Sequence, residues 1–225
     1  MLKRATITRL IISLILLTLP GCKGYINWGA CPWHHCPWAL RDIEIGRQLG
    51  QSVAVFDKYS ARIIFDAMPL SDKVRAAYAR MQAGRFDKND KWLGDELARQ
   101  IKMNKEVIAF YSPALREMAF GDRCGEWTPL LKVGGTLHNP IYIKHVDPPV
   151  EYKHMLGPRY TRFKIIYEIG FAAQDKDGRP IIQGGSRSIS LVFQATGKNA
   201  QMSWPVGVGG VTFGDDSAVA LDEEE

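Results

Sequence analysis

Alternating apolar and polar positions dominate the C-terminal half of the chain. In the clearest run, residues 162–172, every second position is a large apolar residue: Phe163, Ile165, Tyr167, Ile169 and Phe171. Successive side chains of a strand point to opposite faces, so this period of two predicts a strand with one apolar face. A slip of one residue would expose all five side chains, and the register is therefore strongly specified.

Similar alternation or short apolar runs predict further strands, which are separated by Gly, Pro, Asn and Asp residues typical of turns. They lie at residues 59–68, 107–111, 127–133, 141–146, 189–193 and 201–206. We expect Ser112-Pro113 to stop the second of these strands. Six or seven short strands favour a mainly β fold, an antiparallel immunoglobulin-like β-sandwich that spans residues 51–206.

Two helices are predicted between the first and second strands. Ser71 is a suitable N-cap for a segment to Met81, in which apolar residues recur at helical spacing. The second segment, at about residues 90–102, carries an apolar stripe formed by Leu93, Leu97 and Ile101. We expect this two-helix insertion, about residues 71–103, to cover one end or edge of the sandwich.

Composition and charge exclude several classes of protein. With 225 residues, 46% of them hydrophobic, and four Cys, the chain is neither wholly disordered nor a disulfide-dense miniprotein. The formal charge of +5 hides an asymmetry, because the last eleven residues hold six acids and no Lys or Arg. From Gly207 the pattern lacks periodicity, so residues 207–225 are predicted to be a flexible acidic tail.

The N-terminus has the pattern of a secretory signal peptide. Three basic residues up to Arg9 precede an apolar run at 10–19, which is shorter than the roughly 20 residues that a membrane-spanning helix needs. Leu19-Pro20-Gly21-Cys22 resembles the lipobox of bacterial lipoproteins. The resemblance implies cleavage after residue 21, acyl chains on Cys22 as a membrane anchor, and, because Lys23 is not Asp, sorting to the outer membrane.

The segment that follows, residues 22–50, is predicted to be a lipid-anchored tether with a loop rich in Cys, Trp and His. Within six residues this loop offers two thiols and two imidazoles, Cys31, His34, His35 and Cys36, and Cys124 is the remaining unlipidated cysteine. Export favours a disulfide among the three cysteines. The same residues could instead hold zinc or copper, because structural zinc takes four N or S ligands.

No catalytic pattern accompanies these features. The chain lacks a Gly-x-Ser-x-Gly turn, a His-Glu-x-x-His helix and a phosphate-binding loop, so we predict a protein that is not an enzyme and binds no nucleotide. Alternation on a half-buried strand explains the basic and aromatic residues at 159–164. Together with export, this argues against a nucleic-acid partner.

Several segments together resemble a group of uncharacterised bacterial lipoproteins of immunoglobulin-like shape. They are residues 59–69, 107–113, 157–163, 189–193 and 202–204. The resemblance implies a fold and brings no activity with it. We therefore expect a non-enzymatic interaction or structural component of the cell envelope that contacts an envelope protein. The alternative is a metal-binding or metal-handling lipoprotein that uses the Cys31–Cys36 loop.

Overall fold

The structure, a computed structural model, describes residues 37–56, 62–115, 127–183, 185–207 and 209–215. Its helices are α1 (Pro37–Leu49), α2 (Asp72–Arg85), α3 (Asp90–Glu106) and α4 (Val150–Leu156), the last followed by a 3₁₀ turn at Gly157–Arg159. Its strands are β1 (Gln51–Phe56), β2 (Arg62–Pro69), β3 (Val107–Leu115), β4 (Thr128–Val133), β5 (Thr136–His138), β6 (Tyr142–Val146), β7 (Lys164–Ala172), β8 (Ser188–Ala195) and β9 (Lys198–Pro205). The chain divides into one compact unit that ends at Arg41 and another that begins at Asp42.

Two antiparallel sheets form the body of the second unit. One has five strands in the order β1-β2-β3-β7-β6, and the other has four in the order β5-β4-β8-β9. The pairing of β3 with β7 is the longest, from Val107 opposite Ala172 to Leu115 opposite Lys164. The prediction of a mainly β, antiparallel fold is confirmed.

The main core lies between the two sheets. Phe65 on β2 stacks on Phe193 of β8, with 4.5 Å between ring centroids, and Trp127 meets Phe65 edge-on at 4.8 Å. On β7, Ile169 and Phe171 are fully buried in the same core. Each such side chain removed from water contributes about 1.5–3 kcal/mol to folding, so these layers hold the sheets together.

The two predicted helices are confirmed, but they cover a sheet face rather than an edge. Ser71 accepts a hydrogen bond from the Val74 amide, as expected for the N-cap of α2. On the outer side of the five-stranded sheet, Tyr111 of β3 packs edge-on against Tyr152 of α4, which stacks on Tyr78 of α2. The expectation of an end or edge position is wrong because the outer face of the sheet is itself apolar: Met68, Ala109 and Tyr111 are all buried there.

Helix α1 occupies residues that were assigned to the tether, and to this extent that assignment is wrong. In the second unit its buried positions include Asp42, Ile43 and Gly46, at helical spacing. A Cβ on Gly46 would lie 2.3 Å from the Cβ of Met155, so α1 approaches α4 as closely as only glycine permits. A small or acidic buried face carries little hydropathy signal, so the sequence pattern does not predict this helix within the tether.

The predicted flexible tail is also wrong in its first part. Val211 is fully buried, and the Asp72 amide donates to the Thr212 carbonyl at 2.9 Å. The amides of Gly214 and Asp215 in turn donate to the Asp72 carboxylate. Residues 209–215 are therefore fastened to the start of α2, whereas residues 216–225 lie outside the described ranges.

Candidate functional site

The residues singled out from the sequence as a lipidation, disulfide or metal site all lie outside the described ranges: Cys22, Cys31, His34, His35, Cys36 and Cys124. Their lipidation and pairing stay predictions. Within the described ranges, no three His, Cys, Asp or Glu side chains are grouped as a metal site would require. Two other surfaces of the body have the composition of binding sites.

The first is the tip of the α2–α3 hairpin, which we call the hairpin surface and define by Phe86, Trp92, Leu93 and Leu97. Phe86 is 51% exposed, and the other three side chains are half-buried. The buried residues of α3 are Gln100, Ile101 and Asn104, all in its C-terminal half. The predicted apolar stripe is therefore fully buried only at its C-terminal end, at Ile101.

Charges around the hairpin surface balance. Its basic residues are Arg85, Lys88 and Lys91, and its acidic residues are Asp87, Asp90 and Asp95. An apolar and aromatic patch with alternating signs around it has the composition of a protein contact. The balance gives no electrostatic attraction to a polyanion or to an anionic membrane.

The second surface is a polar cavity of about 380 Å³ on the outer face of the four-stranded sheet, which we call the serine cup. Its side chains come from β4, β8, β9 and the segment before β8: Lys132, Ser186, Arg187, Ser188, Ser190 and Ser203. Gln201 and three glycines complete the lining, which contains no Asp or Glu.

Strand register sets the floor of the serine cup. Lys132 pairs with Ser190, and Ser190 pairs with Ser203, so the three residues form one row across β4, β8 and β9. The two serine hydroxyls are 2.8 Å apart, and the Gln201 amide nitrogen donates to both at 3.1 Å. The floor is therefore an ordered hydrogen-bonded row.

One feature of the sequence indicates the serine cup but was not among the predictions. Ser186, Ser188 and Ser190 alternate, as side chains do on one face of a strand. A search for a Gly-x-Ser-x-Gly turn does not detect this alternation. Which of the serines share a cavity with Lys132 depends on the pairing of β4 with β8, which the local pattern does not give.

A third polar region lies between the helices and the five-stranded sheet and is closed by packing. Burial is the largest cause that raises the pKa values of Tyr78, Tyr111, Tyr142 and Tyr152 above the ordinary value. Tyr142 donates its hydroxyl proton to Glu168 at 2.7 Å. The phenols stay protonated at neutral pH; Tyr142 serves as a hydrogen-bond donor, and the rings of Tyr78, Tyr111 and Tyr152 pack against one another.

Comparison with known proteins does not identify a relative of this chain. No family of proteins, no curated protein and no solved structure matches this chain. Among the described helices, none combines the length and apolar composition that crossing a membrane requires. The case for a function therefore depends on the N-terminal pattern and the two surfaces.

Proposed function

We propose that this protein is a lipid-anchored, non-enzymatic interaction component of the bacterial cell envelope. The anchor is the set of acyl chains on Cys22, and the outer membrane is its destination. The basic n-region, the apolar run and the lipobox-like residues up to Cys22 support this proposal. Each buried methylene of an acyl chain contributes about 0.8 kcal/mol, so several chains hold the body at the membrane stably.

The finer fold assignment, an immunoglobulin-like sandwich, belongs to the same proposal. Its support is the pair of antiparallel sheets with an aromatic core between them. In such sandwiches the faces and ends that lie outside the core are available to partners.

The partner in this proposal is another envelope protein, bound at the hairpin surface. The observation that carries it is the exposed Phe86 beside the half-buried Trp92, on a helical pair whose other end is packed. Aromatic residues are enriched among the side chains that dominate protein binding energies. The balanced charge around the tip favours a protein over a lipid surface.

Photo-crosslinking in intact cells tests the partner. A photoreactive phenylalanine analogue replaces Phe86 or Trp92 in the full chain, and Leu137, also 50% exposed but on β5, serves as the matched control site. We expect one discrete protein adduct from positions 86 and 92 and none from 137, and we expect Leu93→Asp to abolish it. Lipid adducts, or the same adducts from position 137, would contradict a protein partner.

A separate experiment tests the anchor. Intact mass of the protein extracted from membranes should correspond to a chain that begins at an acylated Cys22. Cys22→Ser should lose the acyl mass. An unmodified chain that begins at Met1 would refute lipid anchoring without affecting the crosslinking result.

The alternative function is metal binding or metal handling in the envelope. It is favoured by the density of ligands in Cys31, His34, His35 and Cys36, with Cys124 as a further thiol. Equilibrium dialysis of the reduced protein with zinc or copper should retain the metal if this function is correct, and the double substitution Cys31→Ser and Cys36→Ser should release it. Failure of the reduced protein to retain either metal, or equal retention by the double variant, would exclude it.

A further inference from the structure

The serine cup has the chemistry of a small-molecule site. We propose that it binds an anionic sugar, meaning a saccharide that carries a phosphate or a carboxylate. Its volume of about 380 Å³ lies within the range of ligand sites in proteins, which is about 300–1,000 Å³. This inference goes beyond the proposed partner contact, because the cup lies on the four-stranded sheet and the hairpin surface belongs to α2 and α3.

The positive charge of the serine cup favours an anionic ligand. Lys132 and Arg187 both line the cup, and neither makes an ion pair with any residue in the described ranges. With no carboxylate in the lining, two cations face the same cavity without a countercharge. Guanidinium and ammonium groups bind phosphate and carboxylate oxygens through charge-assisted hydrogen bonds, which are roughly twice as strong as neutral ones.

The unused hydroxyl groups at the floor of the serine cup favour a ligand that carries hydroxyl groups. Ser190 and Ser203 share one hydrogen bond between their hydroxyls, so only one of their two protons is used. The other proton remains available, as do the Ser186 and Ser188 hydroxyls, which have no partner within the described ranges. Hydroxyl groups donate and accept at once, and sugar hydroxyls match this requirement better than a bare anion does.

The rim of the cup is open. Gly134 and Gly135 form the two-residue turn between β4 and β5, with φ of +54° and +93°, and a Cβ on either would meet nothing within 4 Å. Positive φ at both positions is typical of a type I′ hairpin turn. No side chain therefore stands over the entrance from this turn.

Calorimetric titration of the full-length protein in detergent micelles tests the proposal. The probes are glucose 6-phosphate, glucuronate, glucose and inorganic phosphate. We expect at least one of the two charged sugars to bind about tenfold or more tightly than glucose, because charge-assisted hydrogen bonds are roughly twice as strong as neutral ones. The tighter of the two charged sugars identifies the anionic group as phosphate or carboxylate.

Variants locate the site. Lys132→Gln and Arg187→Gln should each weaken binding of the charged sugar about tenfold, and Lys102→Gln, an exposed lysine of α3, should leave it unchanged. An unaltered thermal unfolding midpoint shows that a variant is folded. The proposal is overturned if glucose binds as tightly as the charged sugars, if inorganic phosphate binds equally well, if no probe binds, or if the two cup variants retain full affinity.

Discussion

The Nε of Arg75 donates to the side-chain oxygen of Asn104 at 2.6 Å, and both side chains are almost wholly buried. The amide nitrogen of Asn104 donates to the Asp72 carboxylate at 2.7 Å. A neutral amide therefore connects a buried cation to a buried anion. Arg75 also donates to Gln100 Oε1 at 2.8 Å, which fixes α2 against α3.

Asn104→Leu should destabilise the protein by about 3 kcal/mol, because the buried Arg75 guanidinium and the buried Asp72 carboxylate each lose one charge-assisted hydrogen bond. Urea unfolding of the full chain measures the change. Arg99→Ala is the control: Arg99 is exposed and pairs with Glu96 on the helix surface, so its loss should cost less than about 1 kcal/mol. Equal losses of unfolding free energy in the two variants would show that the buried network contributes no more to stability than a surface ion pair does.

Two glycines should respond in opposite directions to substitution by alanine. A Cβ on Gly170 would lie 2.3 Å from Cζ of the Tyr142 ring, so Gly170→Ala should displace the ring, break its bond to Glu168 and cost about 1–2 kcal/mol. Gly94 lies within α3 with open space around its Cα, so Gly94→Ala should stabilise by up to about 1 kcal/mol. Thermal unfolding distinguishes the signs, and the same sign for both would contradict this geometry.

Alkaline pH should destabilise the fold through the buried tyrosines. Burial raises the pKa values of Tyr111 and Tyr152 above the ordinary 10.0, so the unfolded chain loses these protons first. The stability they contribute is complete below pH 10.0 and is lost as the pH rises towards their folded pKa values. Unfolding free energy measured from about pH 8 to pH 12 should fall, and Tyr152→Phe should flatten the slope. Full tyrosinate absorbance of the folded protein near pH 10 would refute the explanation.

Asp72→Ala should loosen the backbone at Gly214 and Asp215. The carboxylate accepts from the amides of Gly214 and Asp215 at 2.9 and 3.1 Å, and without it these amides lose their acceptors. Hydrogen exchange should become at least about tenfold faster at both positions, as expected for loss of a charge-assisted bond. Asp90→Ala, which removes the corresponding first-turn acid of α3, should leave both rates unchanged.

Elements with a clear period were predictable, and elements whose buried faces are small or polar were not. The alternation of β7 and the Ser71 cap are both confirmed. Phe163 is an exception: it is 63% exposed because β7 begins one residue later, at Lys164. The predicted stop at Pro113 is wrong, since β3 continues through Pro113, which pairs with Ile166.

Long-range pairing explains most of what the sequence could not give. The Lys132–Ser190–Ser203 row joins residues up to 71 positions apart, and only the sheet order brings them together. Leu93 and Leu97 of the hairpin surface belong to the predicted apolar stripe, but the sequence does not show that only its C-terminal member, Ile101, is fully buried. The predicted Cys and His ligands, residues 31–36 and Cys124, lie outside the described ranges.

The side-chain amide of Gln51 imitates a peptide group. It donates to the carbonyl of Ser203 at 2.6 Å and accepts from the Ser203 amide at 3.2 Å, on the outer strand of the four-stranded sheet. Trp204 adds an indole bond to the Leu49 carbonyl. If the chains are anchored side by side in a membrane, their local concentration is high. Unpaired backbone groups on an edge strand could then form hydrogen bonds with a strand of a neighbouring chain. By occupying the backbone groups of Ser203, Gln51 blocks one of the positions at which another strand could pair with β9.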